Sequence, residues 1–344
     1  MLTTKIPLFY VVLTTISCSI LSVAAYKVIT KDNVSDSIPS VASSPAATPS
    51  TASNQTCHYN ISRLNGYKYI RPVYSSEPEC ESSIFLPLKT EISDFVESMR
   101  SSGSLNVASV YLKDLTSDDW MEVNSNEEYH PGSLFKVNTM ITLLRMAEEH
   151  PAIMDKEIEF AANTPVPIQT FNSKTITPGH KYKIRELIRS MIVYSDNSAT
   201  DLLHREVSID VFQKTFTDLG LKKPDVHDRN YSVTGKEYSK FISVLYDGGY
   251  LTLPASEYAI SLLSESDFKS GIAHELPSNI KIAHKFGEAM HEGTRELHEC
   301  GIVYLDKKPY LVTIMTKGAD VKVLAGIISH ISKVTYDYMS AKPV

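Results

Sequence analysis

The chain has 344 residues, 42% of them hydrophobic, and a formal net charge of −6 at pH 7. This length allows one large domain or two modest ones. The mild negative charge and the lack of a long basic run argue against a nucleic-acid-binding protein, which usually carries a clustered basic face.

An uncharged apolar run follows Lys5 and covers residues 6–25, with the sequence IPLFYVVLTTISCSILSVAA. Its length is at the lower limit for a transmembrane helix, whereas the small residues at its end suit cleavage by a signal peptidase. Both alternatives stay open, and the length favours a retained anchor. We therefore predict a signal anchor or signal peptide over residues 1–32. The rest of the chain is then extracytoplasmic, either attached to the membrane by this segment or secreted.

Residues 33–56 contain almost no large apolar side chains and are rich in Ser, Ala, Pro and Thr. This composition cannot bury enough surface to offset the entropy of ordering, so it predicts a disordered stalk. Cys57 and Cys80 lie in the next segment, a small lead-in over residues 57–87, and an oxidising compartment would allow them to pair. Cys300 lies in an apolar strand pattern and is expected to be a buried small hydrophobe.

The spacing of apolar residues predicts the elements of the remaining chain. The first part holds a helix over Leu88–Ser102, strands within 106–115 and 119–126, and a helix opened by Ser133 whose apolar stripe starts at Val137. A mostly helical block follows over about 152–275. The last part holds strands within 279–287, 299–306 and 309–318 and a helix over about Asp320–Met339.

The simplest architecture for residues 88–344 is an α+β fold. Both groups of strands join one antiparallel sheet, the terminal helices flank it on one face, and the helical block is an inserted all-helical subdomain. A cleft is expected where the insertion meets the sheet, since small-molecule sites usually form between subdomains.

The first candidate for chemistry is the pair Ser133 and Lys136, three residues apart at the start of the buried helix. On a helix this spacing brings the hydroxyl and the amine to one face. A serine becomes a usable nucleophile when a neighbour takes its proton, and a desolvated lysine with a lowered pKa can do so. The helix N-terminus also suits a developing oxyanion.

The S-x-x-K pattern alone is weak evidence, because it also begins at Ser266 and at Ser278. A second element, Ser195-Asp196-Asn197, occurs once and directly follows an amphipathic run. In isolation it would be interpreted as a helix-capping turn. A third element, Lys285-Phe286-Gly287, lies on a predicted strand. S-x-x-K, S-D-N and K-T-G together are typical of class A β-lactamases and penicillin-binding proteins.

On these elements the chain from about Leu88 onward resembles the serine β-lactamase and penicillin-binding-protein family, with a class A-like layout. The resemblance implies that Ser133 attacks a strained amide or a D-Ala-type carbonyl while Lys136 accepts its proton. It also implies that Ser195 relays a proton to the leaving nitrogen and that Lys285 supplies positive charge near Ser195 and the substrate carboxylate. The implied substrate contacts are Asn197, Gly287 and Glu288. The backbone N–H groups of Ser133 and Glu288 would form the oxyanion hole.

Two departures from the family pattern affect this expectation. Phe286 replaces the hydroxyl residue that holds a β-lactam carboxylate. No E-x-x-L-N element, which supplies the glutamate for deacylation, occurs between Asn197 and Lys285. The nearby alternatives for a base are Asp225, His227 and Asp228, each more simply interpreted as part of a polar turn. Acylation with slow deacylation is therefore expected.

The sequence thus predicts a β-lactamase-like serine hydrolase whose partner is a small β-lactam or a peptidoglycan stem peptide. The alternatives are a peptidoglycan D-Ala-D-Ala peptidase and, in another class, a catalytically silent wall-binding module. The cysteine and histidine spacings do not match a metal site, so neither a metal nor a cofactor is expected. The sequence does not indicate an oligomeric state.

Overall fold

A five-stranded antiparallel sheet is the centre of the fold. We analysed a computed structural model that describes residues 57–166, 170–171, 173–225 and 230–342. The predicted N-terminal segment 1–32 and the stalk 33–56 lie outside the described residues. None of the helices within the described ranges is both long and apolar enough to span a bilayer.

The strands are β1 (Tyr59–Arg63), β2 (Val73–Pro78), β3 (Val107–Asp114), β4 (Trp120–Val123), β5 (Glu157–Phe160), β6 (His180–Lys183), β7 (Lys281–His291), β8 (Thr294–Tyr304) and β9 (Tyr310–Gly318). The helices are α1 (Leu86–Ser101), α2 (Phe135–Glu149), α3 (Ile184–Val193), α4 (Asn197–His204), α5 (Ile209–Asp218), α6 (Gly235–Tyr246), α7 (Leu253–Ser264) and α8 (Val321–Ala341).

The main sheet has the order β4-β3-β9-β8-β7, so the early and late strands pair directly along β3 and β9. Helices α1 and α8 pack on one face of this sheet, over a core that contains Leu88, Ile92, Leu324 and Ile328. The other face carries the helices of the 184–264 region. The predicted α+β architecture is confirmed.

Local signals account for several helix starts. Thr234 and Glu237 form a reciprocal capping box at the start of α6, and the Asp320 side chain caps α8 by accepting a hydrogen bond from Lys322 N at 2.7 Å. Both patterns satisfy backbone N–H groups that the first helical turn leaves without a partner.

Two small sheets depart from the predicted pattern. The block expected to be mostly helical also contains the two-stranded sheet β5–β6, and the lead-in segment forms the hairpin β1–β2. The polar strand β6 (His180–Lys183) has no apolar alternation, which explains why its sequence does not indicate a strand. Cys57 and Cys80 form a disulfide, with their Cα atoms 5.8 Å apart.

The β1–β2 hairpin is attached to the main sheet by hydrogen bonds. Trp120 Nε1 donates to the backbone oxygen of Pro78 at 2.7 Å, and the Tyr111 hydroxyl donates to the Glu77 carboxylate. The disulfide therefore closes a hairpin that is already part of the fold. Cys300 is fully buried in β8, as expected, and burial raises the pKa of its thiol to about 12.

Strand β7 approaches the turn before α2 without side chains between the two backbones. A Cβ atom built on Gly287 would lie 2.4 Å from Pro131 O and 2.9 Å from Leu134 N. One built on Gly132 would lie 2.3 Å from Glu288 O. Gly132 also has a φ of +51°, which favours glycine. The two glycines thus allow the turn and the strand to touch.

We expect Gly287→Ala to lower the free energy of unfolding by about 1–3 kcal/mol, because the added methyl group overlaps backbone atoms. Gly326→Ala is the control: it lies on the exposed side of α8 with no atom within 4 Å of the added Cβ, so it should raise stability by roughly 0.5–1 kcal/mol. Urea unfolding of both variants measures these values. Equal stability of the two variants would contradict the close contact.

Candidate active site

Ser133 lies in a single 3₁₀ turn, Gly132–Leu134, that leads directly into α2. The turn is held from the opposite side by Tyr238 on α6, whose hydroxyl donates to Leu134 O at 3.0 Å. Ser133 itself is partly exposed, whereas Leu134 and Lys136 are buried. The hydroxyl of Ser133 is therefore presented at the end of a buried helix on a fixed turn.

Lys136 lies in the first turn of α2 and is only 4% exposed. Its Nζ donates to Ser195 O at 2.5 Å, to Ser195 Oγ at 3.1 Å and to Asn197 Oδ1 at 2.7 Å. Among the described residues these are the hydrogen bonds of the amine, and none goes to Ser133. The lysine thus links α2 to the S-D-N turn.

Burial controls the charge of Lys136. Desolvation lowers the pKa of its amine to about 7, although the Asp196 and Asp201 carboxylates act in the opposite direction. Near neutral pH a large fraction of the amine is therefore unprotonated and able to accept a proton. The protonated amine is stabilised as well, because Ser195 O, Ser195 Oγ and Asn197 Oδ1 accept its hydrogen bonds.

The S-D-N turn owes its shape to Asp196. Its carboxylate caps α4 by accepting from Ser198 N at 2.8 Å, and it also accepts from Ile176 N at 2.7 Å. The preceding Ser195 has a φ of +55°, a left-handed conformation that is uncommon outside glycine. Asp196 is thus a structural residue that directs Ser195 and Asn197 towards Lys136.

Lys285 approaches the same serine from strand β7. It is fully buried, and its Nζ donates to Ser195 Oγ at 2.9 Å and to Phe286 O at 2.8 Å. Burial lowers its pKa well below the usual value, the nearby Lys136 lowers it further, and Glu299 acts in the opposite direction. The hydroxyl of Ser195 therefore bridges two buried amines.

A cleft of about 300 Å³ opens in front of this cluster. Its described lining is formed by Ser133, Thr170, Phe171, Asn197, Phe286, Glu288, Ala289, Met290 and Arg295. Both lysines and Ser195 are buried rather than part of this lining. Asn197, which lines the cleft and accepts from Lys136, thus connects the cleft with the buried amines, and Ser133 lies on the turn that leads into the helix of Lys136.

All seven residues expected from the sequence come together at this cleft. Ser133, Asn197 and Glu288 line it, Lys136, Ser195 and Lys285 form the hydrogen-bonded cluster behind it, and Gly287 lies against the Ser133 turn. Of the alternative bases, Asp225 is exposed, whereas His227 and Asp228 lie outside the described residues.

A sequence model of the β-lactamase enzyme family matches residues 87–339. The chain belongs to the β-lactamase enzyme family. The match covers the main sheet and nearly all of both helices that flank it.

Solved β-lactamase structures have the same fold. The TLA-3 extended-spectrum β-lactamase is 18% identical, with a TM-score of 0.64 over 74% of this chain and 98% of that one. A class A β-lactamase from Bacteroides cellulosilyticus is 19% identical, with a TM-score of 0.62 over 74% and 99%. A PBP-A mutant in an acyl-enzyme complex with penicillin G is 17% identical, with a TM-score of 0.60 over 73% and 96%. No curated protein sequence matches this chain.

This β-lactamase family member also has a buried polar cluster that the sequence analysis missed. Glu296 on β8 accepts hydrogen bonds from His130 N at 2.8 Å, His130 Nδ1 at 3.0 Å and His298 Nε2 at 3.2 Å. His298 Nδ1 accepts from Thr316 N, which places the proton of the neutral ring on Nε2. The sequence signal for this cluster is that two polar residues, Glu296 and His298, occupy alternate positions of a buried strand.

The cluster holds the backbone that leads into the Ser133 turn. His130 lies three residues before Ser133, and its backbone N–H and its side chain are both bound by Glu296. Burial acts to raise the pKa of Glu296, but the hydrogen bonds from His298 and His130 outweigh it and lower the pKa to about 2. The ionised carboxylate is therefore the stabilised form.

We expect Glu296→Gln to lower the free energy of unfolding at pH 7 by roughly 2–3 kcal/mol, since charge-assisted hydrogen bonds are lost. Because the folded-state pKa is depressed, this contribution is complete above pH 4.5 and is lost as the pH falls towards 2. The difference in free energy of unfolding between wild type and variant should therefore become smaller as the pH falls from 4.5 towards 2. Denaturant unfolding at several pH values measures it.

Glu292→Gln is the matched control, because that side chain is 86% exposed in the β7–β8 turn. It should change stability little at any pH. A constant gap between wild type and Glu296→Gln from pH 7 to pH 2 would contradict the ionised, hydrogen-bonded state of Glu296.

Proposed function

We propose that the protein is a serine hydrolase that forms an acyl-enzyme at Ser133 with β-lactam or D-Ala-type amide substrates. The observation that carries this proposal is the burial of Lys136 beside Ser195, with its pKa lowered to about 7, directly behind the cleft that Ser133 lines. A base of this pKa suits proton transfer at neutral pH.

In the proposed reaction, Ser133 Oγ bonds to the substrate carbonyl carbon and its proton passes to Lys136. The N–H groups of Ser133 and Glu288 stabilise the resulting oxyanion. When the C–N bond breaks, the leaving nitrogen takes a proton from Ser195 Oγ, and a lysine amine returns one to that hydroxyl. The short distances from Ser195 Oγ to both amines, 3.1 and 2.9 Å, support this relay.

Deacylation is proposed to be slow. No glutamate occurs between Val207 and Lys236, the stretch that leads from α5 to the start of α6. A hydrolytic water therefore lacks the carboxylate base that the family pattern supplies there. Water must then attack the ester of Ser133 without that glutamate, which favours an acyl-enzyme that accumulates.

The proposed site of action is extracytoplasmic, with the protein attached to a membrane by its N-terminal segment or secreted. The Cys57–Cys80 disulfide supports this location, because such bonds form and persist in oxidising compartments.

A fluorescent penicillin is expected to label the protein covalently, with the adduct on Ser133 and none on Ser133→Ala. Peptide mass spectrometry locates the adduct, and its decay after removal of free penicillin gives the deacylation rate. Ser278→Ala, in a second S-x-x-K match, is the control and should label like the wild type. A folded wild type without adduct would support the silent wall-binding module instead.

The acylation rate should rise with pH and level off above about 7, because Lys136 accepts a proton only when it is neutral. Lys136→Arg keeps the charge but cannot give up a proton, so acylation should fall by about 10²–10⁴-fold at every pH. Stopped-flow labelling between pH 5 and 9 tests this. A wild-type rate independent of pH would exclude Lys136 as the base.

The peptidase is the second candidate within this mechanism. The missing glutamate favours it, because an acyl-enzyme that hydrolyses slowly suits a peptidase better than a β-lactamase. Release of D-alanine from a stem pentapeptide would identify the peptidase, whereas hydrolysis of nitrocefin beside an unchanged pentapeptide would identify the β-lactamase.

A further inference from the structure

Phe286 covers the amine of Lys285. The lysine is fully buried, and its Nζ lies 4.2 Å from the centre of the Phe286 ring. This ring is itself held in place: it stacks on Phe268 at 4.3 Å with an interplanar angle of 23°, and it meets Phe171 edge-on at 6.0 Å. The amine therefore binds Ser195 but does not face the cleft.

The charges that do face the cleft are paired with each other. Arg295 is the cation among the described lining residues, and its Nη1 lies 3.7 Å from Glu288 Oε1. The same carboxylate oxygen accepts a hydrogen bond from Thr170 at 3.1 Å. A substrate carboxylate placed here meets the negative charge of Glu288 as well as the positive charge of Arg295.

Apart from Ser133, Thr170 and Asn197, the other described residues of the cleft wall are apolar. Phe171, Phe286, Ala289 and Met290 line it, and Met290 is 70% exposed. An anion that loses water against such a wall without a hydrogen-bonding partner is strongly disfavoured. An apolar or aromatic group placed there gains free energy from the contact area.

We propose that the cleft selects acyl substrates that carry an uncharged, apolar or aromatic group, rather than a carboxylate, beside the scissile bond. This inference rests on the proposed function, because it concerns acylation of Ser133. The covalent step is unchanged: the Ser133 oxygen bonds to the carbonyl carbon, its proton goes to Lys136, and the leaving atom is protonated as its bond breaks. Uncharged amides and esters are thus the substrate class that fits this site.

Benzylpenicillin and its methyl ester test the proposal, because they differ only at the carboxylate. Acylation of the wild type by each compound is followed by intact-protein mass spectrometry, and the methyl ester should react faster by about 10-fold or more. Faster reaction of the free acid overturns this inference and leaves the proposed function intact. Absence of an adduct with both compounds overturns the proposed function and, with it, the inference.

Substitutions at Phe286 separate two effects of this residue: its ring covers Lys285, and it lacks a hydroxyl that could bind a carboxylate. Phe286→Val removes the ring that covers Lys285. Phe286→Thr also removes the ring, and because threonine has the shape of valine it differs from the first variant only by its hydroxyl. The ratio of the ester rate to the acid rate should fall in both variants, and further in Phe286→Thr. An unchanged ratio in variants that retain the wild-type melting temperature overturns the inference.

Arg295→Gln tests the alternative anchor. The variant is made together with Glu288→Gln, because Arg295 is paired with Glu288 and its loss alone would leave an unpaired carboxylate that repels the free acid. In this double variant, compared with Glu288→Gln alone, the acid and ester acylation rates should change by the same factor. A selective loss of reaction with the free acid identifies Arg295 as a carboxylate anchor and overturns the inference.

Discussion

The site depends on the burial of two lysine amines around one serine hydroxyl. In water both amines would be fully protonated at neutral pH, and neither could serve as a base. Burial of Lys136 and Lys285 makes the charged forms unfavourable, and Lys136 adds repulsion at Lys285, so both pKa values fall while both amines stay hydrogen-bonded to Ser195. The rest of the fold can be understood as the scaffold that keeps these amines dry and close together.

Three separate parts of the chain supply that scaffold. Helix α2 carries Lys136, the Asp196-capped turn carries Ser195, and strand β7 carries Lys285. They can approach because Gly287 leaves no side chain between β7 and the Ser133 turn. On the same face of the sheet, Glu296 anchors the backbone just before that turn. The amines are therefore held by backbone contacts as much as by their own hydrogen bonds.

The sequence predicted the sheet, its flanking helices and the residues that meet at the cleft, because apolar periodicity and three ordered motifs carry that information. It could not predict what depends on distant contacts. The strand pairing of His298 with Gly287 and the stacking of Phe286 on Phe268 join residues that no local pattern relates. Strand β6 is polar, so hydropathy gave no signal for it. Phe286 was recognised as a departure, but only the fold places its ring over the amine.

The β7–β8 hairpin has a buried part and a more exposed end. Lys285 lies in its buried part, the residues from Glu288 to Met290 border the cleft, and the turn at Glu292 and Gly293 adopts positive φ values at its tip. Insertions or substitutions near that tip would reshape the entrance of the cleft while Lys285, further along the strand, stays in place. The shape of the cleft entrance can consequently change without a change at Lys285, although both are carried by the same hairpin. The hairpin tip is therefore the region in which to vary substrate selectivity by engineering.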